Sequence, residues 1–476
     1  MNILNNSLIK REKRPIKVLQ IGEGNFLRGF IDYFIAYLNE NHNYNCGVCV
    51  VQPRKGNKLK ELQEQDGLYT LVMEGLLNDS PYSEEKIIDV IEDLINPYSN
   101  YSEFLEYAHS SDLNIIFSNT TEAGIVLDLC DTDFSTTPNT YPGKLLALLK
   151  ERYEYFYHDK TKGLYIIPCE LIVGNGDLLK STLVSLSKAC NFNEDFINWL
   201  TTANKFYNTL VDRIVPGHPC NDDLKKLFNK LNYVDNKLIK SELYHLFALS
   251  GDKSLNNVFP YKESNLQIIV ADDISPYYER KVKILNASHS CIAPIAYLCG
   301  LKTVRESILN NEIKQFLDNF LLKEALPSIN FDYNELISYK NDVITRFSNP
   351  FIEHKLQSIF LNSMSKYKVR ILPTAITYYE NNKKLPYNSL FAFAALLNLY
   401  SQYAINDESS IVNFFNDLYS KNPSSKEIIE TSLEFLELKE VFESMKGACD
   451  FLIATLDSIK YKGALESLKS QITLYE

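Results

Sequence analysis

A short apolar run followed by a glycine-rich turn near the start of the chain constrains the fold more than any other feature. Residues 16–21, IKVLQI, have the length and β-branched content of a buried strand. The turn GEGNFLR occupies residues 22–28, and apolar residues then recur at helical spacing from Phe30 to Leu38. This is the layout of a dinucleotide-binding βαβ unit, in which glycines let the backbone approach a pyrophosphate. Leu27 replaces the usual third glycine, so a simple strand–helix turn remains an alternative.

The pattern of predicted elements changes once along the chain. Up to about residue 272, apolar strands alternate with helices, which indicates a doubly wound, mainly parallel sheet. Beyond that point the apolar period is helical almost throughout. We therefore predict an α/β fold with a Rossmann-like domain over 1–272 and a mostly helical domain over 273–476. Strands are expected at 48–51, 113–118, 164–168 and 265–271, and helices at 142–157, 177–213, 303–322, 333–346, 350–364 and 387–404.

Composition excludes several classes of partner. The net charge of −11 disfavours nucleic acid and anionic membranes. No apolar run is long enough for a membrane span, and the N-terminus lacks the apolar core of a signal peptide. The nine cysteines are odd in number and scattered, which favours reduced thiols and a cytoplasmic location. Cys46 and Cys49 form a lone C-x2-C in a strand-like run, where we expect buried thiols and no metal.

The ends of two predicted strands bear on the cofactor. An acidic residue commonly follows the second strand of such a fold and holds the ribose of NAD. Here Gln52 and Pro53 precede Arg54, which would suit the 2′-phosphate of NADP, so both cofactors stay open. The strand at 113–118 ends in the polar stretch Asn119–Gly124, and ligands of open α/β sheets bind at such strand ends. For Glu122 a role near the nicotinamide ribose and a solvent-facing position are about equally supported.

A predicted helix from Tyr277 to Leu301 carries three polar residues in the spacing K-x4-N-x2-H, namely Lys281, Asn286 and His289. Ser275-Pro276 predicts its start and Gly300 its end. At 3.6 residues per turn, the three side chains lie at roughly 0°, 140° and 80° around the axis and share one broad face. Such a face suits an extended ligand, although an ordinary surface helix has similar residues.

Eight motifs, in order over most of the chain, resemble the mannitol dehydrogenase family, the zinc-independent long-chain polyol dehydrogenases. They are IGEGNFLRGF at 21–30, QDGLYTLV at 65–72, SNTTEAGI at 118–125, PCELIVGNG at 168–176, VDRIVPG at 211–217, KVKILNASH at 281–289, RFSNP at 346–350 and NSMSKYKVRILP at 362–373. Several of them look closer to the keto-uronate branch of the family than to the mannitol branch. The resemblance implies hydride transfer with NAD and without metal. The cofactor contacts it implies are Ile21, Gly22, Glu23, Gly24, Asn25, Phe26, Leu27, Arg28, Gln52, Thr121 and Glu122.

The family's catalytic pattern implies a role for each residue of the helix motif. Lys281 would be the general acid when a ketone is reduced and the base in the reverse direction. An ordinary lysine pKa lies near 10.4, so the site must lower it, and Lys366 would help as a neighbouring like charge. Asn286 would donate to the developing alkoxide, and His289 would hold substrate hydroxyls.

Two departures from the mannitol branch indicate an altered substrate end. Glu170-Leu171 stands where the mannitol enzymes have an Asp-Asn pair, and Ser358 where they have arginine. Other expected substrate contacts are Asn175 and Asp212. An acid sugar needs a cation for its carboxylate, and the candidates are Arg213, Lys283, Lys366 and Arg370. The resemblance, with these departures, thus implies a reductase of a small-molecule keto-uronate in hexuronate breakdown. The alternatives are an enzyme for another keto-uronate or for a neutral polyol such as mannitol, and a non-catalytic NAD-binding protein.

Overall fold

The computed structural model describes residues 1–121, 123–403 and 405–475, with the backbone alone at Asn221. The chain divides into two compact units. The N-terminal unit contains Met1–Glu74 and Tyr82–Ile274, and the helical unit contains Gly75–Pro81 and Ser275–Glu476.

The first part of the chain contains the strands and the first eight α-helices. The strands are β1 Ile16–Ile21, β2 Gly47–Val51, β3 Tyr69–Leu77, β4 Ser80–Ile88, β5 Ile91–Ile95, β6 Ile115–Ser118, β7 Tyr165–Pro168, β8 Lys205–Phe206, β9 Asn208–Asp212, β10 Ile239–Glu242, β11 Leu246–Ser250 and β12 Ile268–Ala271. The helices are α1 Asn25–Arg28, α2 Ile31–His42, α3 Lys60–Glu64, α4 Tyr101–Glu106, α5 Tyr141–Tyr155, α6 Asn175–Ala189, α7 Glu194–Thr202 and α8 Asn221–Leu231.

Six strands form a parallel sheet in the order β5-β2-β1-β6-β7-β8. This is the strand order of the doubly wound dinucleotide-binding fold. The strands before β6 are added on one side of β1 and those from β6 onward on the other, so the topological switch point lies between β1 and β6. Two three-stranded sheets, β10-β3-β4 and β12-β11-β9, accompany it. The predicted α/β class is therefore confirmed, and the first strand has the predicted bounds.

Apolar residues cover both faces of the six-stranded sheet, as a parallel sheet requires. On one face Phe30 and Phe34 pack with Phe247 of β11. On the other face the helices α5, α6 and α7 contribute a second cluster that includes Trp199, the only tryptophan of the chain. The sheet is thus fixed from both sides, which holds its carboxyl edge in place for a ligand.

The helical unit follows from Ser275. Its α-helices are α9 Ser275–Arg280, α10 Ala287–Leu298, α11 Val304–Leu309, α12 Asn311–Asn319, α13 Tyr333–Phe347, α14 Leu356–Ile359, α15 Ser363–Arg370, α16 Leu372–Asn382, α17 Tyr387–Gln402, α18 Ser409–Ser420, α19 Ser425–Phe435, α20 Lys439–Ser444, α21 Ala448–Lys462 and α22 Ala464–Ile472. Two π-helical segments, Lys281–Asn286 and Phe320–Ala325, interrupt this series.

Two predicted helices were wrong in part. The stretch 177–213 contains α6 and α7, but Asn208–Asp212 is the strand β9, which pairs antiparallel with β11. In 350–364 only Leu356–Ile359 is a complete α-helix, and α15 begins at Ser363. In the first stretch a short apolar run satisfied the helical period, while the strand β11 that pairs with it is distant in the sequence. In the second, Lys355 forms an isolated β-bridge with the distant Thr303.

Candidate active site

Gly22 lies directly after β1, where its backbone approaches the next strand of the fold. Its φ is +131°, a conformation that essentially only glycine adopts. Its N–H donates to the Val51 carbonyl at 3.0 Å. A Cβ atom at this position would lie 2.9 Å from the backbone oxygen of Asn119. The positive φ and the close approach of Asn119 therefore each require glycine at this position. The turn lies where β1 and β6 diverge.

The rest of the turn divides into exposed and buried residues. Gly24 and Asn25 are exposed, and no heavy atom lies within 4 Å of a Cβ placed on Gly24. Glu23 forms an ion pair of 3.5 Å with Lys58 of the loop after β2. The backbone of Gly24 and Asn25 thus has open space in front of it. The side chains of Ile21, Leu27 and Arg28 are buried, and Phe26 is partly buried.

The sequence analysis missed a buried polar cluster beneath the turn. The Arg28 guanidinium donates to the Lys237 carbonyl and to Asn25 Oδ1, both at 2.7 Å. Tyr69 donates to Asp32 Oδ2 at 2.9 Å. Burial raises the pKa of Asp32 to about 7, against the opposing effects of Tyr69 and Arg28. Arg28 thus supports the turn from inside, through Asn25, and its own side chain does not face a ligand.

Gln52 at the end of β2 organises the loop that follows. Its amide donates to the carbonyls of Arg54 and Gly56, at 2.6 and 2.9 Å, and accepts from the Lys58 N–H at 2.9 Å. Gln52 therefore holds residues 53–58 in place. Arg54 is exposed, and its guanidinium is 3.4 Å from Thr121 Oγ1.

Thr121 has φ +82°, which is rare for a β-branched residue and marks local strain after β6. Glu122, the other predicted contact of this loop, lies outside the described residues.

Asn175 was predicted to contact substrate, but its amide is fully used inside the N-terminal unit. The side chain is completely buried and donates to the Pro168 and Glu170 carbonyls and to Thr209 Oγ1, at 2.9–3.1 Å. Its oxygen accepts from the N–H groups of Gly176 and Thr209. In this structure Asn175 therefore fixes the loop between β7 and α6 and does not present a free amide.

Glu170 of the same loop is also buried and internally bonded. Its carboxylate accepts from Ser118 Oγ at 3.1 Å and from the N–H and hydroxyl of Thr120, each at 2.9 Å. Burial raises the pKa of this carboxyl, while these hydrogen bonds oppose the shift. The neighbouring Leu171 is exposed. Glu170 thus ties the β6 and β7 loops together.

Asp212 is the last residue of β9, and Arg213 follows it directly. Arg213 is buried, and its guanidinium donates to the Glu242 carbonyl at 3.0 and 2.9 Å and to the Gly29 carbonyl at 2.7 Å. It also stacks over the Tyr33 ring at 4.5 Å. Burial lowers the Arg213 pKa to about 10. This guanidinium is thus committed to backbone carbonyls. Asp212 is buried at the last position of the strand.

The predicted motif helix of the helical unit begins at Ser275 and continues to Leu298, with Gly300 beyond its end at φ +87°. Within it, Lys281–Asn286 is π-helical. The expected angles from 3.6 residues per turn are therefore wrong between Lys281 and Asn286. Hydrogen bonds from i to i+5 widen the turn and bring residues five apart closer to one line along the axis. Lys281 and Asn286 are the two ends of this wide turn, a feature frequent at functional sites.

His289 lies one turn further along, in α10. Its ring stacks on Phe347 at 4.2 Å and meets His354 edge-on at 4.8 Å. Burial lowers the His289 pKa well below its ordinary value, and the nearby His354, Arg346, Arg370 and Lys366 act in the same direction. The imidazole is therefore neutral near pH 7. Its Nε2 atom is inaccessible and has no hydrogen-bond partner among the described residues.

Two basic residues of α15 lie beside this helix. Lys366 donates to the Ile359 carbonyl at 2.9 Å, and Arg370 is 3.2 Å from Ser290 Oγ and 3.5 Å from the Asn286 carbonyl. Desolvation lowers the pKa of both groups. The structure thus brings Asn286, His289, Lys366 and Arg370 together. Ser358 is exposed and bonds only the Lys355 carbonyl in the described chain.

Within the described ranges the chain has neither a metal-binding cluster nor a membrane-spanning helix. In residues 1–121, 123–403 and 405–475, no group of three or more His, Cys, Asp or Glu side chains is placed to hold a metal ion. In the same ranges, no helix combines the length and apolarity needed to cross a bilayer.

The residues after β1 fit a dinucleotide. Gly22 allows the close approach of β1 to the β6 loop, and the backbone at Gly24 is open. Residues 16–261 match the family model of the mannitol dehydrogenase Rossmann domain, and residues 273–455 match that of the mannitol dehydrogenase C-terminal domain. The chain belongs to the mannitol dehydrogenase family. Members of this family are oxidoreductases that act on CH–OH groups with a nicotinamide cofactor. This protein is likewise an oxidoreductase of CH–OH groups that uses a nicotinamide cofactor.

Relatives within the mannitol dehydrogenase family cover almost the whole chain. The altronate oxidoreductase of Bacillus subtilis is 41% identical over 85% of this chain and 84% of its own. Those of Phocaeicola vulgatus and Enterobacter sp. are 36% and 37% identical over 98% of this chain and 99% of their own.

Two solved structures share the fold of the mannitol dehydrogenase family with this chain. A D-sorbitol dehydrogenase in substrate-free form is 19% identical, with a TM-score of 0.82 over 98% of this chain and 100% of its own. The Pseudomonas fluorescens mannitol 2-dehydrogenase, solved with NAD and D-mannitol, is 20% identical, with a TM-score of 0.69 over 97% of this chain and 95% of its own.

Proposed function

We propose that the protein reduces the keto-uronate tagaturonate to altronate with NADH, in the breakdown of hexuronates. The observation that carries the proposal is the identity of 36–37% with proteins named altronate oxidoreductase over 98% of the chain. The two departures from the mannitol branch, at Glu170-Leu171 and Ser358, agree with an acid substrate. The absence of a carboxylate at Gln52 leaves NADPH as a second cofactor to test.

Each residue of the motif helix has a chemical role in this proposal. Lys281 gives a proton to the ketone oxygen as the carbonyl becomes an alcohol, and takes it back in the reverse direction. The Asn286 amide donates to that oxygen as negative charge develops on it. His289, neutral because of burial and nearby cations, exchanges hydrogen bonds with substrate hydroxyls. NADH supplies the hydride that the ketone carbon receives. The proton and the hydride together balance the reduction.

The experiment that tests the proposal is NADH oxidation, followed by absorbance, with tagaturonate, fructuronate and fructose side by side and then with NADPH. Preference for tagaturonate with NADH is the expected result. Preference for fructuronate would keep the chemistry and change the substrate. Turnover of fructose at the rate of the keto-uronates would exclude an acid-sugar enzyme.

Lys281→Ala separates an enzyme from a non-catalytic NAD-binding protein. We expect NADH binding to persist while kcat falls by about 10²-fold or more, the usual contribution of a general acid. Lys302→Ala, an exposed lysine of the same unit, is the matched control and should keep full activity. Full activity of the Lys281 variant would remove this residue from the mechanism.

A further inference from the structure

The sequence left four cations as candidates for the substrate carboxylate, and the contacts of the described residues separate them. We propose that Arg370 is the specificity-determining residue that binds this carboxylate. The inference rests on the proposed function, because it assumes an acid-sugar substrate. It extends that function by assigning one end of the substrate to one side chain of α15.

Two of the candidate cations already direct their charged groups at other partners in the protein. Arg213 directs its guanidinium at the Glu242 and Gly29 carbonyls through three hydrogen bonds of 2.7–3.0 Å. Lys283 forms an ion pair of 2.7 Å with Glu279 and donates to the Ser328 carbonyl at 2.9 Å. Binding a substrate carboxylate at either position would first break these contacts, and the freed buried carbonyls would lose their partners.

Lys366 remains, but its ammonium is poorly suited to the task. It already donates to the Ile359 carbonyl at 2.9 Å. Desolvation and the neighbouring Arg370 lower its pKa, while Asp407 opposes them. An ammonium is also a point charge, and it does not match the planar, two-oxygen geometry of a carboxylate. Lys366 therefore suits a hydroxyl or the reacting oxygen better than the acid end.

Arg370 has the required properties. Within the described part of the chain its hydrogen bonds are two long ones from Nη1, 3.2 Å to Ser290 Oγ and 3.5 Å to the Asn286 carbonyl. Nε and Nη2 form no hydrogen bond within the described part of the chain, and no described carboxylate pairs with this guanidinium. A guanidinium stays charged even when desolvation lowers its pKa, and its fork can hold both oxygens of a carboxylate.

The surroundings place Arg370 beside the reactive part of the motif helix. Asn286 and Ser290 are one α-turn apart, so the guanidinium lies alongside the face that also carries the Asn286 amide. Lys366 precedes it by one turn of α15 and adds positive charge. Asp407, the carboxylate acting on Lys366, already accepts from the Met364 N–H at 3.0 Å and from the Tyr400 hydroxyl at 2.6 Å. Lys366 and Arg370 outnumber Asp407, so the net charge of these three side chains is positive, which favours an anion.

The test compares Arg370→Ala and Arg370→Lys with the unchanged protein on a keto-uronate and on the neutral ketohexose of the same stereochemistry. We expect Arg370→Ala to lower the ratio of the two kcat/KM values by about 10²- to 10³-fold, since a charge-assisted bidentate pair is lost. Arg370→Lys should recover part of the loss, because it restores charge without the fork. Arg305→Ala, an exposed arginine of the same unit, should leave the ratio unchanged.

A binding measurement keeps this inference separate from the proposed function. Gluconate, an acid sugar that lacks a ketone, and neutral sorbitol are titrated against each variant by calorimetry. Arg370→Ala should weaken gluconate binding by at least about tenfold relative to sorbitol. If the unchanged protein reduces no keto-uronate, the proposed function fails, and the gluconate titration still decides the role of Arg370. The inference would be overturned if Arg370→Ala changed neither the ratio of kcat/KM on the keto-uronate to kcat/KM on the neutral ketohexose nor the binding of gluconate. It would also be overturned if that ratio fell strongly in Lys366→Gln and in no Arg370 variant.

Discussion

Replacing Gly22 with alanine is the sharpest test of the turn after β1. At φ +131° an alanine pays a backbone cost of about 1–3 kcal/mol. Its Cβ would also lie 2.9 Å from the Asn119 carbonyl oxygen, a backbone atom that cannot rotate away. The two strands diverging here must then separate by a few tenths of an ångström. Together these effects predict a loss of roughly 2–4 kcal/mol of unfolding free energy.

Gly24 provides a matched control two residues away. Its backbone is extended, with φ −70° and ψ 168°, and a Cβ there meets no atom within 4 Å. Gly24→Ala should therefore change stability by less than about 1 kcal/mol, and reduced freedom of the unfolded chain makes a small gain the expected sign. Because a bound pyrophosphate would need that open space, the same variant should weaken NADH binding at least about tenfold.

The assay uses Trp199, which is the single tryptophan and is buried in the N-terminal unit. Its fluorescence during denaturant unfolding reports that unit directly. For a unit of this size, a loss of about 3 kcal/mol lowers the thermal midpoint by roughly 6–12 °C. Equal stability of the two alanine variants would refute the conformational argument. Unchanged NADH affinity in Gly24→Ala would refute the placement of the cofactor at this turn.

Two further predictions concern buried polar groups of the N-terminal unit. Because the folded pKa of Asp32 is raised from 3.8 to about 7, its stabilising contribution is complete below pH 4 and is lost as the pH rises through 7. Denaturant titrations from pH 4 to 8 should show the stability of the unchanged protein falling relative to Asp32→Asn by roughly 4 kcal/mol, and parallel profiles would contradict this assignment. Asn175→Ala should cost about 3–5 kcal/mol of unfolding free energy, because buried N–H groups of Gly176 and Thr209 lose their acceptor. A stable variant with weakened substrate binding would instead return Asn175 to the substrate contacts.

The sequence predicted the elements that depend on local pattern. Strand β1, the glycine turn and the helical stretch after Ser275 each carry their own signals of periodicity, glycine and capping. The antiparallel pairing of β9 with β11 carried no such signal, because Leu210 and Ala248 lie far apart in the chain and meet only in the folded unit. The same limit applies to Asp32, because its hydrogen-bond partner Tyr69 is distant in the sequence.

The candidate site was predicted at the level of residue types and less well at the level of their contacts. Lys366 and Arg370 both looked available in the sequence, as did Arg213. What distinguishes these three cations is which carbonyl oxygens their side chains can reach. For Arg213 the oxygens belong to Gly29 and Glu242, which lie in two other segments of the chain. No single-sequence pattern encodes that distance. The internal hydrogen bonds of Asn175 were not visible in the sequence for the same reason, since Thr209 is distant from the stretch that contains Pro168, Glu170 and Gly176.

The wide turn from Lys281 to Asn286 amounts to an inserted residue within an otherwise regular helix. Deleting one residue there would let the hydrogen bonds close in the ordinary α register. Side chains beyond the deletion, including His289, would keep nearly the same direction relative to Lys281, because the wide turn holds one residue more than an ordinary turn at almost the same rotation and rise. If instead every residue stayed and the turn closed to the ordinary α register, His289 would rotate by about 100° relative to Lys281 and move about 1.5 Å further along the axis. A homologue with the same residues at the same spacing but an ordinary α-turn there would thus direct its lysine and its histidine to different sides of the helix.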